Sequence, residues 1–193
     1  MKTENLHTID IISVIVKRNP SIKELSISVY KYVPHVVSEK GRLKIHNIRC
    51  DKSVDIKNKI LSIKIPQGWR LGLNSIVKMN DGSYRHIPQI DFECSVSNKN
   101  LNKIRLKLSE IIKTFPGYII RSGASYHYIG LKLLTEKEWQ KFIGLCLLCK
   151  EPKKHSVVDV RWCGHQLVRG YSNLRIASTD LRPEPEVIAF VKR

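Results

Sequence analysis

The chain has 193 residues, of which 42% are hydrophobic and 26% charged, a composition typical of a globular domain and not of a disordered segment. Lysine and arginine number 34 against 17 acidic residues, and the resulting net charge of +17 favours a polyanionic partner, above all nucleic acid. The apolar runs are too short to span a membrane and the five cysteines do not suggest a disulfide framework, so a cytoplasmic protein without membrane contact is expected.

The first 80 residues predict an N-terminal α/β unit within a single domain that spans residues 1–193. An apolar element, "IDIISVIVKRNP", ends at Asn19-Pro20. Two strands follow, "KELSISVYKYVP" and "RLKIHNIRC", with Glu39-Lys40-Gly41 as the turn between them. Asn80-Asp81-Gly82 is a strong hairpin signal that joins "NSIVKM" to "SYRHIPQIDFEC".

The next part of the chain, residues 81–180, predicts a core with two helices between strands. A strand over residues 89–94 precedes a helix whose apolar residues recur at helical spacing, namely Leu101, Ile104, Leu108, Ile111 and Phe115. "GYIIRS" and "SYHYIGLKLL" predict two strands around the Ser122-Gly123 turn. Thr135 and Glu138 form a capping box that opens the second helix, which Pro152 closes.

A fourth strand, "SVVDVRW", completes the predicted core, with Val158, Val160 and Trp162 turned inward, and "NLRIAST" predicts one strand more. The order β-α-β-β-α-β is that of the ferredoxin-like or RNA-recognition-like arrangement, so the fold class is α+β. Right-handed crossovers place the first strand centrally, with the third and fourth beside it. Residues 181–193 are expected to be a C-terminal tail.

Strand alternation brings acidic side chains to the face of the sheet that the helices leave open. If the apolar residues of 89–94 face the helices, Asp91 and Glu93 lie together on the open face. The same parity puts Asp159 there from the fourth strand, and the third strand can present His127. Three carboxylates and a histidine are therefore expected on one surface.

Clustered carboxylates of this kind suit Mg²⁺ or Mn²⁺, because hard cations prefer oxygen ligands. Two such ions can activate an attacking hydroxyl and stabilise a pyrophosphate leaving group. The alternative is that Asp91 and Glu93 only pair with the surplus arginine and lysine on an exposed sheet.

Three motifs in this order carry a resemblance: "IDFEC", "RSGASYHY" and "VVDVRW". They resemble the acid-hydrophobic-acid, Ser-x-His and hydrophobic-Asp motifs of the archaeo-eukaryotic primase superfamily, which includes the primase-polymerases. The resemblance covers residues 85–180. It implies a catalytic core of RNA-recognition-like fold with an additional N-terminal α/β unit, acting as a metal-dependent nucleotidyltransferase on a nucleic acid template and nucleoside triphosphates.

The resemblance also implies roles for individual residues. The metal ligands and catalytic acids would be Asp91, Glu93 and Asp159, holding two Mg²⁺ or Mn²⁺ ions. The nucleotide-binding residues would be Ser122, Ser125, His127, Arg169 and Arg175, the two arginines because "GHQLVRGYSNLRIAS" resembles the family's stretch of basic phosphate contacts. The first motif has glutamate where many members have a second aspartate.

Two other functions are compatible with the sequence. One is a non-catalytic nucleic-acid-binding module that keeps the fold and serves partner proteins of a replication, repair or defence assembly. The other is a metal-dependent nuclease or phosphodiesterase, since clustered acids also serve hydrolysis.

The remaining candidates favour structural roles. Cys146 and Cys149, with His155, Cys163 and His165 nearby, have zinc-like spacing, but their place on an apolar helix face favours buried thiols. Trp139, Trp162, Tyr126 and Tyr128 are expected in the core. Tyr171 is the aromatic candidate for nucleic acid contact.

Overall fold

The computed structural model describes residues 6–33, 40–51, 53–111, 116–149, 156–179 and 182–192. In chain order, these residues form α1 (Thr8–Arg18), β1 (Ile22–Tyr30), β2 (Leu43–Arg49), α2 (Ile56–Leu61), β3 (Arg70–Met79), β4 (Tyr84–His86), β5 (Gln89–Asp91), α3 (Asn98–Ile111), β6 (Gly117–Arg121), β7 (Tyr126–Gly130), α4 (Glu136–Leu148), α5 (Val160–Arg169), β8 (Asn173–Arg175) and β9 (Glu186–Val191). The fold is α+β, as expected.

The first sheet has the order β2-β1-β3-β4, with β8 also paired to β3. Helix α1 buries its apolar face against it, as does α2 with Ile56 and Ile60, in one core of mostly isoleucine, leucine and valine. The predicted hairpin after β3 is confirmed: Gly82 has φ 82°, and the Met79 N–H donates to the Ser83 carbonyl at 2.8 Å. The strands predicted over 23–34 and 42–50 pair as β1 and β2; Glu39 of their predicted turn lies outside the described residues.

The second sheet has the order β5-β7-β6-β9 and packs against α3 and α4. The predicted inward residues Ile90 and Phe92 are buried, and Tyr126 and Tyr128 are buried in the same core. The capping box is confirmed, because the Thr135 side chain accepts from the N–H of Glu138 and the Glu138 carboxylate accepts from Thr135. Trp139 is in this core as expected, whereas Phe115 and Pro152 lie outside the described residues.

The predicted fourth strand is wrong. Val158 makes a single bridge with Phe92, and the chain then turns into α5, whose N-cap is Asp159. An alternation of three apolar residues over 158–162 is compatible with the start of a helix as well as with a strand. The helix forms because the Asp159 carboxylate accepts from the N–H of Trp162 at 2.8 Å and so caps the N-terminus of α5. Val160 and Trp162 are therefore only partly buried, whereas Val158 is fully so.

The complete ferredoxin-like arrangement is not confirmed, because its fourth strand is reduced to this bridge. The strand predicted at "NLRIAST" is shorter, and as β8 it joins the first sheet. Residues 186–191, predicted as part of the tail, form β9 at the edge of the second sheet. In the described parts of the chain, no helix has the length and apolar character needed to cross a membrane.

Candidate active site

A cavity of about 570 Å³ opens between the two sheets, with walls from both of them. The residues predicted from sequence to form a site all line it, namely Asp91, Glu93, Ser122, Ser125, His127, Asp159, Arg169 and Arg175. The structure thus brings these side chains around one space. Their roles remain predictions, and the contacts of each are described below.

Asp91 and Asp159 are held side by side by the backbone. Asp91 ends β5, and its carbonyl accepts from the Asp159 N–H at 3.0 Å. One residue further, the Glu93 N–H donates to the Val157 carbonyl at 2.9 Å. Asp91 keeps 28% of its side chain exposed, and Glu93 is exposed. The predicted three acids thus divide into a close pair and a third at the mouth of the cavity.

The pKa of Asp91 is raised by its surroundings. Burial first, and repulsion by Asp159 second, raise the pKa of Asp91 to about 7, although Arg182 acts in the opposite direction. Near neutral pH, therefore, both the protonated and the ionised forms of Asp91 are populated. A cation between Asp91 and Asp159 would relieve the repulsion that causes part of this shift.

The oxygen atoms of Asp91 and Asp159 decide whether a divalent ion fits between them. Asp159 uses Oδ1 to cap α5, so Oδ2 remains for another ligand. Together with an oxygen of Asp91, it forms a donor pair of the chemistry that Mg²⁺ and Mn²⁺ prefer. However, within the described residues no three histidine, cysteine or acidic side chains are grouped so as to hold a metal ion. The pair offers oxygen ligands of the right chemistry but not a group of three, and the predicted two-ion site remains a prediction.

His127 faces the acid pair from β7. It lies opposite Asp91 in the sheet register, and its Nε2 is 3.4 Å from Asp91 Oδ1. Burial, with Arg175 and Arg182, lowers the pKa of His127 to about 3, so the imidazole is neutral and the contact is not an ion pair at neutral pH. Its Nδ1 is buried and makes no hydrogen bond to any described residue. The atom that His127 directs to the acid pair is therefore Nε2, while Nδ1 is enclosed by the protein.

Arg175 and Ser122 form part of the cavity wall rather than a mobile clamp. The Arg175 guanidinium is buried and donates through Nη1 to the carbonyls of Ala177 at 2.6 Å and Pro183 at 2.8 Å. Its Nη2 donates to Ser122 Oγ at 3.1 Å. Burial lowers the pKa of Arg175, but an arginine in this setting keeps its charge. Arg175 therefore contributes a fixed positive charge, while most of its donors serve the fold.

Ser125 also serves the fold. Its hydroxyl donates to the Phe92 carbonyl and accepts from the Cys94 N–H at 3.3 Å, which fixes the chain after β5 against the start of β7. Arg169 lies in the last turn of α5, with Cζ 5.5 Å from the ring centre of Tyr171 and Nη1 3.4 Å from Gln166 Oε1. The predicted phosphate-binding roles of these residues are therefore additional to contacts they already make.

Sequence reasoning missed the part of the cavity that the first sheet supplies. Tyr30, Arg42 and Arg70 line it from the N-terminal unit, and Arg182 lines it from the segment before β9. Tyr30 pairs with Arg70 across β1 and β3, which brings the two side chains to the same end of the sheet. No motif marks these positions, and for Tyr30 and Arg70 only the register of a long-range strand pair could have found them.

Within the described residues, the cysteines and His165 are not grouped as their zinc-like spacing suggested. Cys146 and Cys163 are buried and hydrogen-bonded to each other, and this contact together with burial raises the pKa of Cys146. Cys149 is partly buried, and all of the described cysteines are free thiols. His155 lies outside the described residues. Cys146 is the buried thiol expected from sequence, whereas Cys149, at the C-cap of α4, is only partly buried.

The fold and the cavity together define an α+β protein in which paired acids face a strongly basic wall. The chain belongs to the archaeo-eukaryotic primase-like family, since the family described as AEP-like, archaeo-eukaryotic primase 1D-like, matches residues 53–187, well over half of the chain. This confirms the resemblance found in the sequence. No curated protein and no solved structure matches the chain. The matched range contains every predicted site residue and leaves out β1 and β2.

Proposed function

We propose that this protein is a metal-dependent nucleotidyltransferase of the primase-polymerase type. It would add nucleotides to a primer, or to an initiating nucleotide, held on a single-stranded DNA or RNA template. The observation that carries the proposal is the pairing of Asp91 with Asp159 inside a basic cavity. Membership of the primase-like family supports the same reaction class.

Asp91 and Asp159, with Glu93 at the mouth, would hold Mg²⁺ or Mn²⁺. Such an ion supplies positive charge that favours an attacking hydroxylate and a departing pyrophosphate. The chain's own contribution is positioning: the hydrogen bond from the Asp159 N–H to the Asp91 carbonyl holds the two residues side by side, and the N-cap of α5 fixes the Asp159 carboxylate. The acids are thereby pre-arranged before a substrate enters.

The basic wall would bind the triphosphate. Arg175 presents a charge fixed by its carbonyl contacts, and Arg182 lines the same cavity. Neutral His127 can donate or accept a hydrogen bond without adding charge. A triphosphate carries several negative charges, so a rigid basic wall stabilises it and the charge that develops on the leaving group.

Primer extension tests the proposal. A labelled primer on a single-stranded template is incubated with nucleoside triphosphates and Mg²⁺ or Mn²⁺, using wild type, Asp91→Asn and Asp159→Asn. Asp81→Asn is the matched control, because Asp81 lies in the β3–β4 turn, where an asparagine can keep the hydrogen bonds from Ser83. We expect extension by wild type and by the control only. Shortened products would instead indicate a nuclease.

One observation favours a second candidate, a non-catalytic nucleic-acid-binding module that serves a replication, repair or defence assembly. This is the finding that the described residues contain no group of three side chains suited to a metal. Binding of the template with no extension by wild type, in either metal, would establish this candidate and exclude the enzyme.

A further inference from the structure

We propose that the end of the first sheet beside the cavity binds single-stranded nucleic acid, with Tyr32 as a stacking platform for a base. The proposal rests on the proposed function, since it identifies the route of the template strand. We call this region the Tyr32 surface, and it consists of Lys31, Tyr32, Arg42 and Arg70, which all line the cavity.

The strand register assembles this surface. Tyr30, the last residue of β1, pairs with Leu43 on one side and with Arg70 on the other. The next N–H along, that of Lys31, donates to the Arg42 carbonyl at 2.9 Å. The end of β1, the start of β2 and the start of β3 therefore meet at one end of the sheet. The three segments, 30–32, 40–44 and 69–70, contain basic and aromatic residues and no acid.

Tyr32 has the geometry of a supported platform. Tyr32 is 55% exposed, so much of its ring is in contact with water. Covering such an apolar surface lowers the free energy. The Arg70 guanidinium lies with Cζ 4.6 Å from the ring centre. This cation–π contact supports one face of the ring and places a positive charge beside it. A base stacked on the other face would have its phosphate close to Arg70.

A second ring–cation pair lies on the other face of the same sheet, where Lys44 Nζ is 5.8 Å from the centre of the Trp69 ring. Lys44 pairs with Val29, and Trp69 packs with Val29 against the helix-covered core. Tyr30 and Arg70 pair on the cavity face instead, so the Tyr32–Arg70 pair alone offers adjacent sites for a base and a phosphate there.

The surface is continuous with the candidate active site. Tyr32, Arg42 and Arg70 line the same cavity as Asp91. A strand held at Tyr32 can therefore lead its next nucleotides toward the acid pair. Stacking on an exposed ring requires an unpaired base, which a duplex does not offer, so the ligand is a single strand.

The experiment measures binding of a fluorescently labelled oligothymidine to the full chain by anisotropy, in EDTA and without nucleotide. Tyr32→Ala is compared with Tyr84→Ala, because Tyr84 is 54% exposed on β4, at the opposite edge of the same sheet. We expect Kd to rise about 5- to 150-fold for Tyr32→Ala, the range known for loss of one stacked base, and to stay unchanged for Tyr84→Ala. Tyr32→Phe should bind like wild type.

Arg70→Gln provides an independent measurement. Because each phosphate contact on a single strand contributes about 0.7 to the slope of log K against log salt, this variant should lower that slope by about that amount. Thermal unfolding of each variant verifies that it is folded.

Equal affinity of Tyr32→Ala and Tyr84→Ala would overturn the proposal, and so would an equal loss of affinity by Tyr32→Ala for a blunt duplex. The outcome is separable from the enzymatic proposal. Loss of strand binding in Tyr32→Ala with no extension by wild type would support the surface and refute the enzyme. Primer extension by wild type, together with unaltered strand binding by Tyr32→Ala, would support the enzyme and refute the Tyr32 surface.

Discussion

Replacing Asp91 with asparagine should stabilise the protein at high pH and leave its stability nearly unchanged at low pH. Burial and the nearby Asp159 raise the pKa of Asp91 from 3.8 to about 7 in the folded chain. Between these two pH values the folded state holds the proton more tightly than the unfolded state does. Wild type therefore loses stability as the pH rises from about 4 to about 7, and remains at the lower level above that.

The magnitude follows from the size of the shift. A rise from 3.8 to about 7 corresponds to about 4 kcal/mol, at about 1.4 kcal/mol for each pKa unit. Because 28% of the Asp91 side chain is exposed, water screens part of this penalty, and about half of it, roughly 2 kcal/mol, is a reasonable expectation. For a chain of this size, that corresponds to an increase in Tm of about 4–8 °C for Asp91→Asn at pH 8.

The assay is thermal and urea unfolding of wild type and Asp91→Asn from pH 4 to pH 8, in EDTA. Asp81→Asn is the control, since hydrogen bonds from Ser83 lower the pKa of Asp81 and its removal should not stabilise the fold at high pH. A gain for Asp91→Asn that is the same at pH 4 and pH 8 would refute the reasoning, as would a loss at pH 8. If the acid pair binds a cation, Mn²⁺ at pH 8 should raise the Tm of wild type more than that of Asp91→Asn.

Three further predictions concern single residues. Asp159→Ser keeps a cap for α5, so Asp159→Ala should reduce the free energy of unfolding by about 1 kcal/mol more than Asp159→Ser does. Neither variant should extend a primer. Primer extension by Asp159→Ser would show that the carboxylate is not required. Burial lowers the pKa of His86 to about 4, so the unfolded state binds its proton first and wild type should lose stability as the pH falls below about 6.5. Thermal unfolding at pH 5 and pH 8 should show a smaller difference for His86→Phe than for wild type, and an equal difference would exclude this cause. Arg175→Met should lower the free energy of urea unfolding by roughly 3 kcal/mol, because it leaves three acceptors without their donor; a change below about 0.5 kcal/mol would contradict the wall role of Arg175.

The acidic side of the cavity could be anticipated from local pattern. In β5 and the two residues after it, alternation places Ile90 and Phe92 in the core, which leaves Asp91 and Glu93 for the other face. Asp159 lies beside Asp91 as expected, but as a helix N-cap and not as a strand residue. The prediction of its place succeeded because the Phe92–Val158 bridge already fixes the chain there, whatever follows.

The basic side could not be anticipated in the same way. β8 pairs with β3 across about a hundred residues of chain, and Ser75 and Ser172 exchange hydrogen bonds at this junction. Nor does the sequence tell whether Arg175 is free for a ligand. That depends on the carbonyls of Ala177 and Pro183, which come within hydrogen-bonding distance of Arg175 only when the loop is folded.

The two sheets divide the charges of the cavity between them, and this limits how the chain can be divided. Asp91 and His127 belong to the second sheet, whereas Arg70 and Arg175 belong to the first. A fragment starting at residue 81 would retain the acids but would leave β8 without β3, the strand that supplies its hydrogen bonds. The N-terminal unit is thus no detachable extension: transplanting the acidic motifs alone into another protein would transfer the repulsion between the acids without the opposing charges.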